Sequence, residues 1–229
     1  MLSCVKPRST VHQFAHLPCT IAFSVALFTI SMRATPSLRQ RSALQPITRT
    51  DLTVTDGSVE TVNGSLLTDV PSMRAVLHIP TTPFIEVHFA YLGATEKTAT
   101  LANGEVRHQF GVKLRAQDAC NLVYVMWQAP PQSKLAVSMK HNPGMHSSSQ
   151  CRDGGYHSLT PVRTGELPVL HMGSSHVLRA DIENARLRIN IDGDPVWDGS
   201  LPSEAMSFDG PVGLRSDNVR LAFRVLVVK

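Results

Sequence analysis

The stretch 219–227 constrains the fold of this chain more than any other. Val219, Leu221, Phe223, Val225 and Val227 alternate with Arg220, Ala222 and Arg224. Strict period two over nine positions suits a half-buried β-strand, in which successive side chains point to opposite faces. A helix would spread the same apolar residues around its circumference. The odd positions therefore predict one buried row, and the two arginines predict the solvent side.

The pattern recurs upstream. Leu187, Ile189 and Ile191 alternate with Arg186, Arg188 and Asn190, and they are expected to belong to the surface that the last strand packs on. Glu183-Asn184 and Asp192-Gly193 read as turns around that strand, with Val196 and Trp197 beyond the second. Residues 84–91 place Ile85, Val87, Phe89 and Tyr91 on one face, the expected core face. Asn103-Gly104 is a turn pair. Phe110, Val112 and Leu114 alternate with Gly111, Lys113 and Arg115, and Leu135, Val137 and Met139 alternate with small or basic residues. Residues 121–127 are apolar almost throughout and predict a central strand. Residues 51–72 predict short edge strands, 201–208 one helical turn, and 141–175 no regular period. Many short strands without a long helix predict an all-β fold, a two-sheet antiparallel β-sandwich of jelly-roll type.

A chain of 229 residues fits one such domain, assigned to 51–229. Aromatic residues make up only 6%, so the core must rest on Val, Leu, Ile and Met. The net charge of +4 is misleading as a guide to partners. Lys6, Arg8 and Arg33 lie in the first 35 residues, which hold no acid, and the remainder is nearly balanced at +1. Along the predicted strands the positive residues alternate with apolar ones, which reads as a solvated sheet face. No basic block of the kind that tracks nucleic acid stands out, so nucleic acid is not an expected partner.

Residues 1–16 are polar and mildly basic, and 17–32 are nearly all apolar or small. That order is the form of a secretory signal, assigned to 1–34. The apolar run is too short for a stable transmembrane anchor, which needs about 20 residues. A flexible lead-in is expected over 35–50. The expected location is secreted or periplasmic.

The block 178–228 resembles the end of concanavalin A-like lectin/glucanase and laminin-G-like sandwiches. Leu187 through Trp197 match a polar hairpin of that family. Gly210, Gly213, Leu214, Arg215, Ser216, Asn218, Val219, Phe223 and Val225 match the loop and strand that follow it. The resemblance implies two packed antiparallel sheets. Family members bind sugars or proteins, cleave polysaccharides, or serve as accessory domains, and the fold does not select among these. The retaining glucanases of the family carry Glu-x-Asp-x-x-Glu on one strand. That spacing is absent here, and Glu86, Glu96 and Glu105 stand apart.

The remaining candidates come from residue type. In an oxidising compartment, Cys120 and Cys151 are expected to pair. Closing that loop contributes roughly 3.5 kcal/mol on the chain-entropy account. His141, His146, Cys151 and His157 share a polar loop but lack the tight pairs of a zinc site, so no metal is assigned. Asp192, Asp194, Asp198, Asp209 and Asp217 cluster in sequence near the last hairpin. They leave calcium open as a minor alternative to no cofactor, because calcium requires six to eight oxygens. Residues 141–157 are rich in hydrogen-bonding groups. His141, Asn142, His146, Gln150, Arg152, Asp153 and Tyr156 are the ligand-binding candidates, with Tyr156 or Trp127 as an aromatic platform. The expected function is non-catalytic binding of a glycan or other extracellular surface. The alternatives are a polysaccharide-cleaving enzyme of the same fold and a structural or protein-interaction domain.

Overall fold

The computed structural model describes residues 44–229. The predicted signal segment and the start of the lead-in lie outside the described residues. In chain order the first strands are β1 (Leu44–Pro46), β2 (Leu52–Asp56), β3 (Glu60–Val62), β4 (Ser65–Thr68), β5 (Ser72–Leu77), β6 (Phe84–Ala94), β7 (Gln109–Leu114) and β8 (Leu122–Gln128). They continue with β9 (Leu135–Lys140), β10 (Tyr156–Ser158), β11 (Arg163–Thr164), β12 (Ser175–Glu183), β13 (Arg186–Ile191), β14 (Asp194–Ser200), β15 (Gly213–Asp217) and β16 (Val219–Val228). Three short helical turns, Arg49–Asp51, Ser148–Cys151 and Ser203–Ser207, interrupt them.

The strands form two antiparallel sheets packed face to face. The nine-stranded sheet runs β11-β14-β13-β12-β6-β16-β4-β3, with β1 also on β16. The seven-stranded sheet runs β10-β9-β8-β7-β15-β5-β2. This is the predicted jelly-roll sandwich. Consecutive strands β15 and β16 lie in different sheets, and the chain crosses between them at Asn218. That residue has a φ of 56° and is fully buried. Its side chain repays the burial by bonding Ala99 N, Ala99 O and Arg107 O at 2.7–2.9 Å.

The core lies between the sheets. Phe89 and Phe223 from the nine-stranded sheet meet Phe110 and Trp127 from the other. Ring centroids are 5.0 Å apart for Phe89 and Phe110, 5.7 Å for Phe89 and Trp127, and 6.3 Å for Phe110 and Phe223. Aliphatic rows fill the rest, including Met73-Ala75-Leu77 and Leu187-Ile189-Ile191. All five odd residues of β16 from Val219 to Val227 are buried, while Arg220 and Arg224 are exposed.

Several expectations shift in detail. The rows of β13 and β16 share one sheet, with β12 and β6 between them, so their packing partner is the seven-stranded sheet rather than each other. The turn expected at Glu183-Asn184 falls at Asn184-Ala185, because Glu183 still pairs with Arg186. Both turn residues have φ near +50–60°. Asp192-Gly193 closes the next hairpin with φ of 55° and 96°, the left-handed pair that a two-residue turn requires. The lead-in expected to be flexible over 35–50 is ordered at its end: Leu44–Pro46 pairs with β16, and Ile47 joins the core. The cause is the free edge of β16. Strand β4 covers only Leu221–Phe223, and the last residues of β16 would otherwise lack partners.

Candidate functional site

The outer face of the seven-stranded sheet is built by strand parity. In β8, Val123, Val125 and Trp127 point into the core, so Tyr124 and Met126 point out. In β7 the core takes Phe110, Val112 and Leu114, which turns Lys113 outward. In β15, Leu214 goes in and Arg215 goes out; in β5, Met73 and Ala75 go in and Arg74 goes out. The cross-strand register places Arg74 opposite Arg215, Lys113 opposite Tyr124, and Lys140 opposite Tyr156.

This outer face holds an aromatic and cationic cluster. Tyr124 and Tyr156 stack with centroids 5.9 Å apart. The Lys140 ammonium lies 5.0 Å from the Tyr156 ring centre, and the Arg215 guanidinium lies 5.1 Å from that of Tyr124. Arg215 Nη1 donates to Tyr156 Oη at 3.2 Å. Asp217 joins the guanidiniums. Its Oδ1 accepts from Arg74 at 2.6 Å, and its Oδ2 accepts from Arg215 at 3.0 Å and from Gln109 at 2.6 Å. Tyr124, Lys113, Lys140, Arg215 and Asp217 are buried by one another's length, whereas Tyr156 is 41% exposed.

Burial sets the electrostatics. It opposes ionisation of Asp217, yet Arg215, Arg74 and the Gln109 hydrogen bond hold that carboxyl below its ordinary range. Burial pushes the Tyr124 phenol up to about 12. Burial, reinforced by Arg74 and Arg215, lowers Lys113 to about 7. Among the described residues the Lys113 ammonium has no hydrogen bond or ion pair. Burial also lowers Lys140, whose Nζ donates to Arg152 O at 2.7 Å.

The polar loop that joins β9 to β10 stands at the border of this face, and most of its side chains hold the loop itself. Cys120 and Cys151 are bonded, with Cα atoms 5.9 Å apart, as the sequence predicted. Asn142 donates to Cys120 O and Gly154 O, and its own N–H donates to Asn121 Oδ1. Gln150 Oε1 accepts from the backbone of His146 and Ser147. His146 Nδ1 lies 2.8 Å from Asp118 Oδ2. The His141 ring packs on Phe208 with centroids 5.5 Å apart. Arg152 and Asp153 are exposed, and Tyr156 alone among the candidates belongs to the stacked cluster. Trp127 requires a correction. It is fully buried between the sheets and presents no surface to a ligand. The uniform apolarity of 121–127 concealed which parity faces outward, and the outward aromatic is Tyr124.

The aspartates grouped in sequence are dispersed in space. Asp192 accepts from Val177 N and lies 2.7 Å from His176 Nδ1, Asp198 pairs with Arg186, and Asp217 pairs with Arg74 and Arg215. Among the described residues no three His, Cys, Asp or Glu side chains gather as a metal would need. A cavity of about 380 Å³ on the nine-stranded sheet, lined by Pro46, Ile47, Gly64, His88 and Arg224, marks where the partner of β16 changes from β4 to β1. Among the described residues no helix is long and apolar enough to cross a membrane.

No family model matches this sequence, and no curated protein matches it. In three dimensions it is similar to the carbohydrate binding module CBM66 from Bacillus subtilis. Identity is 14% and the TM-score is 0.53, over 76% of this chain and 91% of that one. It is also similar to a protein named "Putative glycosyl hydrolase" from Parabacteroides distasonis. There the identity is 12% and the TM-score 0.51, over 80% of this chain and 98% of the other. At such identities the likeness is one of fold. The chain has the two-sheet jelly-roll sandwich fold that block 178–228 implied.

Proposed function

We propose that this protein is a non-catalytic glycan-binding module acting outside the cytoplasm, and that the outer face of the seven-stranded sheet is its binding face. The observation that carries this reading is the half-exposed Tyr156 ring stacked on Tyr124 and flanked by Lys140 and Arg215. A sugar ring offers C–H groups to an aromatic face and hydroxyls around its edge. A rigid aromatic with fixed donors beside it matches both, and few well-placed polar groups suffice for orientation. The exposed Arg152 and Asp153 at the loop tip border this face and extend the set of donors and acceptors. The Cys120–Cys151 bond and the signal-like N-terminal sequence support an extracytoplasmic location.

A retaining hydrolase of this fold would need two carboxyl groups about 5 Å apart, one of them protonated. The buried carboxylate of this face is Asp217, which is held ionised by two arginines. That favours binding over hydrolysis.

A glycan array probed with the full chain, alongside a polysaccharide-release assay, tests the reading. Binding without release is expected. Tyr156→Ala should weaken it roughly tenfold, or about 1.4 kcal/mol, while leaving thermal stability nearly unchanged. Binding that survives Tyr156→Ala undiminished would move the site elsewhere, and release of sugar would make the protein an enzyme.

A further inference from the structure

The charge on this face does not balance. Arg74 and Arg215 sit opposite one another across β5 and β15, and Lys113 lies diagonal to Arg215 on β7. Like charges so placed repel. One carboxylate, Asp217, serves both guanidiniums and is itself buried. Asp56 on β2 is exposed, accepts from Ser72, and acts on Lys113 through space without bonding it. Lys113 is nine-tenths buried and remains without a hydrogen-bonding partner among the described residues. Four cations, counting Lys140, thus share a surface whose buried counter-ion is a single aspartate.

We propose that the face takes an acidic polysaccharide, with a carboxylate or sulfate group of the chain seated among Arg74, Lys113 and Arg215 and a sugar ring on Tyr156. This rests on the glycan-binding reading above and names its ligand class. Guanidinium pairs are suited to planar or tetrahedral oxyanions, which accept two hydrogen bonds at once. From β5 to β10 the sheet crosses five strand spacings, roughly 24 Å, which leaves room for several sugar units across the strands. An arriving anion would supply the partner that Lys113 lacks. Lys113 is charged below about 7, so the anion should bind more tightly as pH falls from 8 to 6. The groups facing Lys113 are Asp56, Arg74, Arg215, Asp217 and Tyr124. Asp217 stays ionised across that window, because Arg215 and Arg74 hold its carboxyl below the ordinary range.

The test is titration calorimetry of the full chain with matched polysaccharides. One arm compares a uronate polymer with its methyl ester, a second compares a sulfated polymer with its unsulfated backbone, and a third uses inorganic polyphosphate. One or both acidic polymers should bind roughly tenfold or more tightly than their neutral counterparts, with an advantage that shrinks as salt rises. The arm that shows the effect identifies the anion. Lys113→Met should remove the advantage and its pH dependence, and Lys113→Arg should restore the advantage without the pH dependence. Equal binding of charged and neutral forms would overturn the acidic ligand while sparing the glycan reading. Polyphosphate binding as tight as the acidic glycan would overturn the sugar requirement. Failure of every sugar polymer to bind would remove the glycan reading itself.

Discussion

The two outer faces of this sandwich carry the same residue types and use them in opposite ways. On the nine-stranded sheet four arginines stand half-exposed, each against a different carboxylate. Arg186 meets Asp198, Arg188 meets Glu183, and Arg220 meets Asp69, with arginine side chains 43–49% exposed. Arg179 meets Glu86, which also takes His88. On the seven-stranded sheet Arg215 is 10% exposed, and Arg74 and Arg215 share one carboxylate beside an unpaired lysine. Exposed pairs in water contribute little and carry little information. Buried, unbalanced charge is costly, and a fold that keeps it invites an explanation in ligand binding. A network of charges thus marks a site by how it is solvated rather than by how many charges it holds.

That contrast can be broken at three depths. The largest effect should come from the core beneath both faces. Phe223→Ala should cost about 3–5 kcal/mol through lost burial and the cavity left against Phe89 and Phe110. Its neighbour Arg224→Ala should cost well under ~1 kcal/mol. Chemical denaturation that gave equal losses would undo the assignment of faces.

Next, Asp217→Asn should cost about 3 kcal/mol, since it strips the shared counter-ion from the buried Arg215 and the part-buried Arg74. Asp198→Asn on the other sheet should cost about 0–1 kcal/mol. The pH dependence follows from the direction of the shift. The Asp217 carboxyl is held below its ordinary range in the folded chain. Its stabilisation is therefore complete above the ordinary aspartate value and is lost as pH falls through the lowered one. Acid titration of stability should find this contribution in the native chain and not in Asp217→Asn. If both variants behaved alike, the two faces would not differ in solvation.

The smallest and most diagnostic effect concerns Lys113. Its folded value is lowered to about 7, so the unfolded chain binds more protons between there and the ordinary lysine value. Stability should rise with pH across that interval as the penalty of burying the ammonium is relieved. Lys113→Met should therefore stabilise the protein by about 1–3 kcal/mol at pH 7, and the gain should fade towards pH 10. Thermal melts of the two proteins across that range measure it. A gain independent of pH would mean that the ammonium is solvated.

The strands were legible where one face alone is apolar. β16 and β13 are half-buried, so alternation exposes their parity. β8 was legible as a strand but not in its orientation, because all seven of its residues are buried. Parity along β8 sends Trp127 into the core and Tyr124 to the outer face, a choice that a uniformly apolar run does not encode. The polar loop attracted attention by composition, yet Asn142 and Gln150 mainly hold its backbone. Tyr156, at its end, is the candidate that joins the stacked cluster.

Local sequence determined most of the strands and the Asp192-Gly193 turn, because each depends on residues close together or on alternation along one strand. Only the tertiary structure decided that Arg74, Gln109, Lys113, Tyr124, Arg215 and Asp217 share a surface, since they come from four different strands. Their neighbourhood is set by cross-strand register. A one-residue slip of β8 or β15 would turn every side chain of that strand to the other face, and no residue within either strand carries that information alone.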